Sequence, residues 1–113
     1  MTHRMKLQPE PFSMIGSGRK TIELRLYDEK RRAIAVGDEV VFSRVDSGEE
    51  LRCRVVSLHP FPSFSALYAS LPLLACGYTE ENVKGASATD MARYYSREDE
   101  ERYGVLGIGI TLL

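Results

Sequence analysis

Apolar and polar residues alternate most cleanly along 20–26, where Ile22, Leu24 and Leu26 interleave with Thr21, Glu23 and Arg25. A period of two is the signature of a strand with one covered and one open face, so this stretch is predicted to be a half-buried strand. Gly16, Ser17 and Gly18 precede it as a turn, because glycine accepts positive φ at little cost. The same period recurs in Val40–Val45 and in Leu51–Leu58, separated by the turn Asp46-Ser47-Gly48-Glu49, which predicts a β-hairpin. Tyr103–Leu113 reads as a last strand whose two glycines, Gly107 and Gly109, point to a bend or a close backbone approach. A weaker alternation in Met1–Pro11 suits a short edge strand.

Helical signals lie between these strands. Pro9 and Pro11 suit a first turn, and Phe12 and Ile15, three apart, would dock a short helix over about 9–17. Ser63 is placed to cap a helix reaching about Ala69 or Leu71. Residues 79–103 read as short helices interrupted near Gly85, with Ser87 or Thr89 as one cap and Ser96-x-x-Asp99 as another N-terminus. Tyr27–Ile34 looks too charged for core, and His59-Pro60-Phe61-Pro62-Ser63 is expected to break the sheet. Short strands with helices before and between them give an α+β class in a single domain over 1–113.

Composition narrows the function. The chain is 43% hydrophobic and 27% charged with a net charge of −1, ordinary values that leave no global basic field for long duplex nucleic acid. The charge is uneven: 1–56 hold eleven Lys/Arg against nine Asp/Glu, and 57–113 hold four against seven. Within 19–32, six basic groups face three acidic ones, which favours a local anion site. Cys53 and Cys76 show no metal spacing, and neither an apolar leader nor a long apolar run is present. These features predict a cytoplasmic protein with free thiols, no metal, no cofactor and no membrane partner.

The spacing Gly18-x-Lys20-x-x-Glu23-x-Arg25 resembles the G-x-K-x-x-E-x-R signature of the ASCH family, a relative of PUA domains. Asp28-Glu29-Lys30-Arg31, Val36–Phe42, Tyr94-Tyr95 and Tyr103–Ile108 resemble further blocks of small bacterial members, so the likeness runs from about Met5. The resemblance implies a PUA-like β-barrel, mixed but mostly antiparallel, with short helices packed around it. It also implies a ligand cleft lined by Lys20. Strict alternation puts Lys20 on the side of Ile22 and Leu24, so either the strand starts after it or its ammonium is partly buried at the rim.

Three functions fit. The first is binding of single-stranded RNA or a nucleotide, with Lys20 and Arg25 on phosphate or ring, Glu23 on a base edge, Arg31 or Arg32 on phosphate, and one of Tyr94, Tyr95 and Tyr103 (Tyr95 first) as a stacking surface. On their own, Glu23 and Arg25 equally suit an ordinary surface ion pair worth about 0–1 kcal/mol. The second is a small hydrolase, with Lys20 and Glu23 as catalytic candidates. Similar proteins deacetylate N4-acetylcytidine with a threonine three residues after the lysine, and Glu23 stands there. A ribonuclease is the related alternative; His59 has no evident partner for acid–base work. The third is a protein-interaction module in transcription or translation, which would display an apolar patch around Phe61, Phe64 and Tyr68.

Overall fold

A computed structural model describes residues Met1–Leu113. Five strands form one mixed, curled half-barrel sheet: β1 (Thr2–Leu7), β2 (Ile22–Leu26), β3 (Glu39–Arg44), β4 (Glu50–Phe61) and β5 (Val105–Leu112), in the order β1-β3-β4-β5-β2. Only the β1–β3 pair is parallel. The other three ladders are antiparallel, and β3–β4 is the expected hairpin. Four short helices, α1 (Pro9–Gly16), α2 (Glu29–Arg32), α3 (Phe64–Ser70) and α4 (Arg97–Tyr103), and two 3₁₀ turns, Val83–Gly85 and Ala88–Arg93, pack around the sheet. The expected α+β, barrel-like architecture is thus realised. No helix is long and apolar enough to cross a membrane.

Two apolar layers sandwich the sheet. Inside the curl, Leu106, Ile108 and Ile110 of β5 meet Phe42, Val55, Phe12 and Ile15. Outside it, Ile22, Leu24 and Leu26 of β2 meet Phe64 and Leu67 of α3. The two glycines of β5 lie on its outer face, where neighbours leave no room for a side chain. A Cβ at Gly109 would overlap the Ser57 side chain, and one at Gly107 would lie 2.8 Å from Leu71 Cδ1. The caps follow their expected chemistry: Ser63 accepts from Ala66 N, Ser87 from Thr89 N and Ser96 from Asp99 N.

Three expectations fail, each for a tertiary reason. The sheet does not break at His59, because β4 runs on to Phe61 and pairs Pro60 with Leu106. By then β3 has ended, so one side of β4 has no neighbour and the missing proline N–H costs nothing. The charged stretch 27–34 is not wholly outside the core: Ile34 is buried in the inner layer, with Tyr27 packed against it. Finally, β2 has no open face. Glu23 pairs with Ile108 and Arg25 with Leu106, so the polar set faces the inside of the curl, and Glu23 is only 4% exposed.

Candidate functional site

The sheet is curled but not closed, and β1 and β2 form its two edges. The site lies where these edges approach. Arg25 Nη2 donates to Lys6 O of β1 at 2.8 Å, and Lys30 Nζ donates to Arg4 O at 2.9 Å. Side chains from β2 and α2 therefore satisfy edge carbonyls that no sixth strand covers.

Glu23 is the centre of this seam. Its Oε1 meets Lys20 Nζ at 2.8 Å, and its Oε2 meets Arg25 Nη2 at 2.7 Å and Nε at 2.8 Å. Burial pushes the Glu23 carboxyl towards its neutral form, but the charges and hydrogen bonds of Lys20 and Arg25 outweigh it, and the pKa ends below the usual carboxylate value. Glu23 is therefore ionised at neutral pH. Two cations surround one anion, so the cluster carries a net +1, and the spare donors of Lys20 and Arg25 remain for a ligand.

Backbone contacts place Lys20. Its N–H and that of Arg19 both donate to Met14 O at the end of α1, while those of Thr21 and Ile22 donate to Ala75 O. Regular pairing of β2 starts only at Ile22, so Lys20 lies at the rim with a side chain 11% exposed. Both halves of the earlier choice hold: the strand begins after Lys20, and its ammonium is partly buried. The Ala75 bonds also bring Gly77 alongside. Gly77 has φ +112°, which favours glycine, and a Cβ there would sit 3.2 Å from the Lys20 stem, which would have to shift slightly.

Beside this cluster opens a cleft of about 640 Å³, lined by four basic and three acidic side chains. Lys20, Glu23 and Arg25, from β2 and its entrance, line it together with Tyr68, Tyr78, Asp90, Tyr94 and Tyr95, from α3 and the segments that follow. Tyr95 is stacked on Phe64 with ring centroids 5.8 Å apart and 20° between planes, and Tyr94 leans on it at 6.5 Å. Burial raises the Tyr95 hydroxyl pKa, so it stays protonated at neutral pH. Tyr94 is 59% exposed and lines the cleft. Two tyrosines of the three therefore reach the cleft, not one; Tyr103 packs in the outer apolar layer.

Other sequence candidates fall elsewhere. Arg31 does not line the cleft: Nη1 pairs with Asp28 at 3.0 Å and Nε is buried without a partner. Arg32 covers the Tyr27 ring at 4.2 Å and donates to Tyr103 O. His59 shares a 3.0 Å hydrogen bond with Ser57 away from the cleft. Thr21 borders a separate hollow of about 170 Å³. Cys76 lines the cleft, but burial pushes its thiol up to about 11 and keeps it protonated. The expected apolar patch is not there, because Phe64 is 1% exposed and Phe61 and Tyr68 are half-buried against the outer layer.

Tyr68, Tyr78 and Asp90 were missed from sequence. Tyr68 Oη lies 2.8 Å from Tyr78 Oη, which donates to Asp90 Oδ2 at 2.7 Å. They are scattered over 23 positions, a span no local pattern signals, and only the fold brings the three polar groups together.

The sequence matches the ASCH domain family over residues 5–113. The crystal structure of the hypothetical protein PH0355 is similar to this chain with a TM-score of 0.82 and 34% identity, covering 100% of both chains. The solution structure of PF0455 from Pyrococcus furiosus gives 0.76 and 34% identity, over 100% of this chain and 98% of that one. An S128A mutant of an ASCH protein from Zymomonas mobilis shares the fold at a TM-score of 0.68 with 12% identity, over 97% of this chain and 67% of that one. No curated protein sequence gives a significant match.

Proposed function

The chain belongs to the ASCH domain family, and on that premise we propose that its cleft binds single-stranded RNA or a nucleotide. The observation that carries this reading is the Lys20–Glu23–Arg25 cluster, a buried carboxylate over-compensated by two cations at the wall of an open cleft. The cations keep donors free for phosphate or a ring carbonyl, and the exposed Tyr94 face beside them accepts a stacked base. Glu23 has both oxygens engaged, so its role is to fix Lys20 and Arg25 rather than to read a base edge itself. A cleft with modest net charge suits a short single strand better than a duplex. Hydrolysis has less support: its candidates Lys20 and Glu23 line the cleft but are paired with each other, and Glu23 stands where the similar hydrolases have a threonine.

The test is a fluorescence-anisotropy titration of a labelled RNA hexamer with wild type, Lys20→Ala and Arg25→Ala, with circular dichroism as the folding control. Each substitution is expected to weaken binding about tenfold or more, the usual effect of losing a charge-assisted hydrogen bond. Unchanged affinity in both folded variants would overturn the assignment.

A further inference from the structure

We infer that Tyr68, Tyr78 and Asp90 form a wall of the cleft that offers only hydrogen-bond acceptors, and so selects ligands presenting donors there: ribose hydroxyls or the exocyclic amine of a base. The inference rests on the nucleotide-binding reading and adds its specificity.

Elimination fixes the direction of the chain. Each phenol has one proton. Asp90 is ionised, because the hydrogen bonds from Tyr78 and from Ser87 N hold its carboxyl below the usual range. A carboxylate can only accept, so the 2.7 Å contact consumes the Tyr78 proton. The 2.8 Å contact between the two hydroxyls then consumes the Tyr68 proton. Neither phenol has a proton left for a ligand, and each keeps a lone pair. Asp90 Oδ2 serves Tyr78 and Ser87 N, whereas Oδ1 makes no hydrogen bond within the chain. Arg93, the nearest cation, is turned towards the Tyr94 ring, 5.8 Å from its centroid.

The cleft is therefore polarised. Lys20 and Arg25 supply donors to it, and the Tyr68–Tyr78–Asp90 chain supplies acceptors to the same cleft. A phosphate or carbonyl suits the first and is repelled by the second. A nucleotide spans both, because it carries anionic oxygens at one end and O–H or N–H groups at the other. A carbonyl in place of the amine, or a missing hydroxyl, would leave the acceptors buried and unpaired.

The experiment titrates three hexamers at one salt concentration: oligoadenylate RNA, its DNA counterpart and oligoinosinate RNA. The DNA lacks the 2′-hydroxyl, and inosine has a carbonyl where adenine has the amine. Wild type is expected to prefer oligoadenylate RNA about tenfold over the DNA if ribose meets the wall, or over oligoinosinate if the base does. Asp90→Asn keeps an oxygen for Tyr78 and Ser87 and places an amide N–H2 at the Oδ1 position. Tyr78→Phe frees the Tyr68 proton. Both should reduce the preference to within about twofold while sensitivity to Lys20→Ala persists. Binding that depends on Lys20 but shows no preference in either pair, or a preference unchanged in Asp90→Asn, overturns the acceptor wall and leaves the parent reading standing. Failure of wild type to bind any of the three hexamers overturns both.

Discussion

The two sides of the cleft are built by opposite means. On the β2 side, Lys20, Glu23 and Arg25 lie within six residues; Glu23 and Arg25 sit on a strand that is hydrogen-bonded along its length to β5, and Lys20 lies at its entrance. Their side chains are 5%, 11% and 14% exposed, and their charges hold one another. On the other side, Tyr68, Tyr78, Asp90, Tyr94 and Tyr95 hang on α3, a turn and a 3₁₀ segment, joined by neutral or singly charged hydrogen bonds and a few ring contacts. The first side is a largely buried electrostatic cluster, and the second is a layer packed mainly on Phe64 and Leu67. On the proposed reading, the charge that would grip a ligand rests on the sheet, and the surfaces that would shape selectivity rest on segments with less to lose on opening.

Three substitutions separate the sides by the stability each costs. Glu23→Ala should cost most, about 3–5 kcal/mol in urea denaturation, because it strands two partly buried cations. A companion pH series has a definite sign. The folded Glu23 pKa lies below the unfolded value, so its contribution is complete above the ordinary glutamate range and disappears as pH falls through the folded value. A cost below about 1 kcal/mol would reduce the cluster to a surface ion pair and erase the contrast.

Ser87→Ala comes next. It removes one half of the capping box at the Ala88–Arg93 turn and should cost about 1 kcal/mol by thermal denaturation. A loss as large as that of Glu23→Ala would show the tyrosine side to be as strongly coupled to the core as the strand. Tyr94→Ala should move stability least, within about 0.5 kcal/mol, since its ring is mostly exposed. The same variant should weaken RNA hexamer binding by about tenfold, the lower part of the range for one base–aromatic stack. Stability lost without affinity lost would make Tyr94 a packing residue.

Legibility followed the same division. The helix at Pro9–Gly16, the β3–β4 hairpin and the caps at Ser63 and Ser96 were all readable, because each depends on neighbours in sequence. The Lys20–Glu23–Arg25 spacing was readable too, yet its burial was not. Alternation says that Glu23 and Arg25 share a face; it does not say which layer covers that face. A polar face usually meets water. Here it turns inward because β2 forms the free edge of a curled sheet, with Leu106 and Ile108 beside the two side chains. The same blindness explains Pro60, whose tolerance depends on β3 having ended, and Ile34, whose flanking charges hid a core residue.

The sequence by itself determined most of the elements, the α+β class and the strand carrying the cationic motif, since periodicity, caps and glycines act over a few residues. Only the tertiary structure decided that Glu23 is buried between two cations, that β1 and β2 meet through Arg25 and Lys6, and that Tyr68, Tyr78 and Asp90 converge on one chain of hydrogen bonds. Those outcomes depend on which segments the curled sheet brings within about 3 Å of one another, the range over which hydrogen bonds form. A chain of local preferences does not encode that distance until it closes.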